Sequence, residues 1–153
     1  MDTLTTLLEQ AEAERNRALA TFNQQRARCD AARVQAEQLE TYRSDYQQRW
    51  RTQFARGAAL EIVRCYRGFA ERLDTAIAQQ AQTVAQTRTA QAQASDLLAA
   101  HELRVASVRK LIERRAQAER QALVRQERKA DDEISMRVAL RQRNAFASSA
   151  VLP

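Results

Sequence analysis

Residues 4–50 read LTTLLEQAEAERNRALATFNQQRARCDAARVQAEQLETYRSDYQQRW, the longest unbroken pattern in the chain. Steps of four and three from Leu4 land on Leu8, Ala11, Arg15, Ala18, Phe22, Gln25, Cys29, Ala32, Ala36, Leu39, Arg43, Tyr46 and Trp50. Eleven of these fourteen positions are apolar or aromatic. A repeat averaging 3.5 residues keeps one stripe of side chains turned toward a partner helix, so the stretch reads as a coiled-coil seam. Asp2 and Thr3 stand just ahead of it, with side-chain oxygens able to accept from the unpaired first amides. A first helix over about 3–54 follows.

The register fails at Arg56-Gly57-Ala58-Ala59. Glycine enters the left-handed region without a Cβ penalty and is the usual residue just past a helix end, so a turn is expected over about 55–60. A second seam then runs through Tyr66, Leu73, Ile77, Gln80, Val84, Thr87, Gln91, Ala94, Leu98, His101, Val105, Val108 and Ile112, with Phe69 and Ala70 competing for one slot. Gly68 lies inside this helix at a cost of ~1 kcal/mol relative to alanine.

After Ile112 the register meets Arg115, Glu119, Gln126, Lys129 and Glu133, and the apolar character stops. The length of the first helix explains the stop. A second helix returning antiparallel from the turn runs out of partner near residue 112. Residues 113–145 remain strong helix formers with Glu–Arg pairs such as Glu133–Arg137. They predict an arm of roughly 45 Å at 1.5 Å per residue. The expected fold is all-α: a single antiparallel two-helix hairpin over 1–146, its second helix spanning about 61–145, with a disordered tail at 147–153.

Composition agrees. The 153 residues contain two glycines and one proline, and aromatics make up 5%, too few for a sandwich or an α/β domain. A net charge of +6 arises from 25 Lys+Arg interleaved with 19 Asp+Glu, the pattern of solvated helix faces. No secretory leader or membrane-length apolar run is evident, so a soluble cytoplasmic protein is expected. Cys29 and Cys65 form no metal spacing and read as reduced, small apolar residues.

Catalysis has no residues to stand on. His101 is the only histidine and falls on the seam. No nucleophile–base set, phosphate loop or metal cluster is present, so no catalytic residue, metal or cofactor is expected. Nucleic acid is also excluded, because acidic residues break up the arm's arginines and no stacking aromatic lies near them.

The informative cluster is aromatic: Tyr42, Tyr46, Trp50 and Phe54 before the turn, Tyr66 and Phe69 after it. Gln35, Leu39, Tyr42 and Tyr46 share one helix face. A seam alone uses Leu39 and Tyr46 and leaves Tyr42 exposed, so the stripe doubles as a candidate protein-binding surface. Replacing Tyr42 and Tyr46 by alanine is then expected to remove binding and leave helicity unchanged.

The run Gln35-x3-Leu39-x2-Tyr42-x3-Tyr46, a short turn, and Tyr66-x2-Phe69-x3-Leu73-x2-Ala76-Ile77 resembles the flagellar type III export protein FliJ family. The resemblance implies a hairpin similar to the central stalk of rotary ATPases. Its two terminal ends would enter the hexameric ring of the export ATPase FliI, with Arg120, Arg125, Arg128 and Arg137 as the arm's contacts. A patch would meet the export gate protein FlhA at the inner membrane, and export chaperones would also bind. Carried onto this chain, the gate patch is Gln35, Leu39, Tyr42, Tyr46, Phe69, Leu73 and Ala76, with Gln80 where the family often has histidine. The stalk of a virulence-type injectisome and a generic coiled-coil scaffold are the competing readings.

Overall fold

The structure, a computed structural model, describes residues 2–150. Two helices account for nearly all of them: α1, Thr3–Ala55, and α2, Leu60–Ser149. They pack against each other as a helical hairpin, and no strand occurs among the described residues. Both predicted helices and the turn between them are present to within a residue or two at the turn. The far end of α2 differs. It continues to Ser149, so residues 147–149 of the expected tail are helical, and 151–153 lie outside the described residues.

Contacts gather the hairpin into two units. The first joins Met1–Leu8 to Ala106–Pro153, and the second is Glu9–Val105.

Within Glu9–Val105, every seam position read from the heptad pattern is buried or half-buried. The fully buried set is Ala11, Ala18, Cys29 and Ala32 on α1 with Leu73, Ala94 and Val105 on α2. Most of these are small. Two helices alone cannot surround a large side chain, and none here is completely enclosed. Hydrophobic stabilisation scales with the apolar area removed from water, roughly 25 cal/mol per Å², so a seam of alanines gains a little at each turn over a great length. Phe69 and Ala70 share their contested slot, both half-buried. Cys29 is buried at 2% exposure, whereas Cys65 is exposed, which corrects the expectation that both pack as apolar residues.

The turn follows from its glycine. Gly57 has φ +88°, and its amide donates to the Phe54 carbonyl at 3.1 Å while Arg56 donates to Gln53 at 3.2 Å. α2 then starts on the Ala59 carbonyl, which accepts from Ile62 at 3.1 Å and Val63 at 3.2 Å. A Cβ at either Gly57 or Gly68 meets nothing within 4 Å, so the two glycines separate backbone conformation from packing. Gly57→Ala is expected to destabilise by about 1 kcal/mol through its left-handed φ. Gly68→Ala, in regular helix, is expected to stabilise by about 0.5–1 kcal/mol. Urea unfolding of the two variants checks both signs.

In the unit formed by Met1–Leu8 and Ala106–Pro153, Leu4, Leu8, Val108 and Ile112 are half-buried, and 113–150 are exposed throughout. The Asp2 carbonyl accepts the first helical bond from the Thr6 amide at 3.2 Å, which places Asp2 at the N-cap. Its carboxylate, however, accepts from Arg115 Nη1 at 3.1 and 3.2 Å. Arg115 also reaches Glu119 at 3.6 Å. The expected cap is thereby joined to a clasp between the start of α1 and α2.

Candidate partner-binding surfaces

The aromatic residues form a continuous ladder across the end of the hairpin. Tyr46 is its centre, with ring centroids 4.6 Å from Phe69, 5.4 Å from Tyr66, 6.0 Å from Trp50 and 6.3 Å from Tyr42. Trp50 lies 5.2 Å from Phe54 and 5.3 Å from Tyr66, and Phe54 meets Tyr66 edge-on at 5.3 Å. The large rings supply the burial that the alanine seam lacks, and offset or edge-on pairs add to it. Arg43 spans the edge of this zone, bonding Glu40 at 2.8 Å and Asp74 across the interface at 3.4 Å. Both pairs are solvent-exposed and worth well under ~1 kcal/mol each, so they align the helices more than they hold them.

The residues expected to meet the export gate divide into an outer and an inner set. Gln35 and Tyr42 are exposed, Tyr42 at 51%. Leu39, Tyr46, Phe69, Ala76 and Gln80 are half-buried, and Leu73 is buried. Tyr42 stacks on Tyr46 and stands edge-on to Phe69 at 6.2 Å, so these three form one supported surface. Leu73, one helical turn after Phe69 on α2, is buried. Gln80 Nε2 donates 2.9 Å to the Ala32 carbonyl across the interface, an internal tie that a side chain meeting only a partner would lack. Tyr46 likewise serves the interior as well as the surface, since four other rings surround it, so its removal is expected to lower stability as well as binding. Leu73→Ala is expected to cost about 2–4 kcal/mol by leaving a cavity at a buried position of the seam. Denaturant unfolding checks this, and any loss of partner binding should track the loss of folded protein.

The arm carries the second set. Arg120, Arg125 and Arg128 line one shallow groove with Gln117, Gln121 and Val124. At 3.6 residues per turn, Arg137 falls on roughly the opposite side of the helix. The four expected ring contacts therefore form a cluster of three and a separate cation. None of the four is in an ion pair among the described residues.

Three cross-helix polar ties are not evident from the heptad pattern. Glu14 Oε2 accepts from Arg104 Nη1 at 3.1 Å and stands 3.7 Å from His101 Nδ1, which places the half-buried histidine in a cross-helix tie. The Arg43–Asp74 and Arg115–Asp2 bridges are of the same kind. Opposite charges at about equal distances from Ala58 and Ala59 are the signal that would have found them. Among the described residues no group of three or more His, Cys, Asp or Glu is placed to hold a metal, and no helix is long and apolar enough to cross a membrane.

A helical hairpin whose distinguishing features are an aromatic tip and an unpartnered arm defines a protein that works by contact. The model of the flagellar FliJ protein family matches residues 1–144, and the chain belongs to that family. It is accordingly a non-enzymatic component of flagellar protein export, and membership selects the flagellar reading over the injectisome and scaffold alternatives. Comparison with curated proteins and with solved structures returns no match.

Proposed function

We propose that the chain is a stalk and escort of the flagellar export apparatus, working in the cytoplasm at the inner face of the inner membrane. The arm enters the hexameric ring of the export ATPase FliI, the aromatic tip meets the export gate protein FlhA, and export chaperones engage the hairpin. The observation that carries this reading is the run of exposed positions from Glu113 onward. A helix that packs on nothing forgoes the tertiary contacts from which most helical stability in proteins comes. A ring lumen supplies the missing surroundings.

The chemistry of the arm suits such a seat. Its exposed arginines make exchangeable ionic contacts, each worth up to ~1 kcal/mol, so the arm is held without being fixed to one subunit. An asymmetric helix in a sixfold ring meets the subunits unequally, and that inequality is a means of promoting ring assembly and turnover. At the other end, Tyr42 is the anchor for the gate.

Titration of the full-length chain into purified export ATPase tests the reading. Saturable stimulation of ATP hydrolysis is expected, weakened by raised salt. An ATPase rate unchanged across the titration would refute it.

A further inference from the structure

Beside the ladder, α1 turns another strip outward. Val34, Glu37, Gln38, Thr41, Tyr42 and Asp45 line a shallow groove along the helix, their spacing of three and four residues keeping them on one side. Val34 is 52% exposed and Tyr42 51%. The Tyr42 ring is nonetheless held in place by Tyr46 and Phe69. A ring already immobilised loses little freedom on docking, which makes it an efficient anchor.

The chain carries +6, yet the ionisable side chains lining this groove are two carboxylates, Glu37 and Asp45, and the nearest cation along the strip is Arg49, in the next groove beside Asp45. Neither is in an ion pair among the described residues, whereas the nearby Glu40 and Asp74 are both taken by Arg43. Two carboxylates about two helical turns apart stand beside the exposed Val34 and Tyr42 side chains.

We propose that this groove docks a cationic amphipathic helix, its apolar side chains on Val34 and Tyr42 and its Lys or Arg side chains on Glu37 and Asp45. The inference rests on the reading of the Tyr42 face as the gate-contacting surface, and it supplies the chemistry of the segment that meets it. An acidic segment is rejected, because it would bring like charges together and desolvate carboxylates without pairing them.

The test titrates labelled peptides into the full-length chain and reads fluorescence anisotropy. One probe has leucine at heptad positions and lysine on its flanks; the other has glutamate for every lysine. Binding of the lysine probe alone is expected, weakening as salt rises. Glu37→Gln with Asp45→Asn should weaken it by about fivefold to tenfold, two exposed ion pairs being lost. Asp131→Asn with Asp132→Asn removes equal charge from the arm and should leave it within about twofold, as expected if the groove's own carboxylates carry the binding. No binding, equal binding of both probes, or an equal loss in the arm variant would overturn the proposal. A parallel titration with the cytoplasmic part of the gate protein separates the two readings. Lysine-probe binding without gate binding removes the gate assignment and leaves the groove's preference standing. Gate binding indifferent to Glu37→Gln/Asp45→Asn removes the groove.

Discussion

Alanine at Tyr46 and alanine at Tyr42 should have opposite signatures although the two rings stack on each other. Tyr46 touches four other rings, so Tyr46→Ala opens the centre of the ladder and is expected to lower stability by about 2–4 kcal/mol. The figure sits below that of a wholly enclosed ring because Tyr46 is half-buried. Tyr42 touches two rings and is half exposed, so Tyr42→Ala should cost about 1 kcal/mol or less. Binding to the gate protein should fall in both. In Tyr42→Ala it falls in a folded chain, by more than about thirtyfold if the ring is a hot spot worth ~2 kcal/mol or more. Thermal unfolding and gate pull-down on the same preparations separate the two effects. Equal stability losses, or gate binding that survives Tyr42→Ala, would contradict the division into outer and inner sets.

Removal of the arm should produce the largest functional effect with the smallest structural one. A stop codon after Ala116 keeps the Arg115–Asp2 bridge, and the described residues it deletes are all exposed. Loss of exposed helix that packs on nothing leaves the cooperative unit intact, so the unfolding midpoint is expected to move by no more than a few degrees. Stimulation of the export ATPase, in contrast, should disappear. Within the arm, charge reversal of Arg120, Arg125 and Arg128 together should weaken the ATPase interaction more than reversal of Arg137, because three cations share one groove and the fourth lies across the helix. A truncated chain that still stimulates fully would move the ring contact to the remaining hairpin.

Much of this architecture is legible in the sequence because the seam is governed by one period. Each position stepped from Leu4 or from Tyr66 is buried or half-buried, and the last such position, Ile112, is also where exposure becomes continuous. Gly57 marks the turn because few other residues tolerate its φ. Less of the surface assignment is legible. Spacing along α1 places Gln35, Leu39, Tyr42 and Tyr46 on one face, but whether a ring points inward depends on what α2 sets opposite it. That is why Tyr46 and Leu73 prove interior, why the Gln80 amide ends on a backbone carbonyl, and why Cys65 lies outside. The groove at Val34 and Asp45 was missed for a related reason: it faces away from the seam, where the heptad pattern carries no information. Charge runs likewise conceal geometry, since Arg137 reads like its neighbours until the helix is wound.

The central claim is that one chain holds the export ATPase by its arm and the export gate by its tip at the same time. The direct measurement immobilises the cytoplasmic part of the gate protein and asks whether it retains the ATPase with and without the full-length chain. Retention is expected only when the chain is present, and it should be lost with either Tyr42→Ala or the stop after Ala116. ATPase retained equally without the chain, or displaced from the chain as the gate binds, would contradict a bridging stalk.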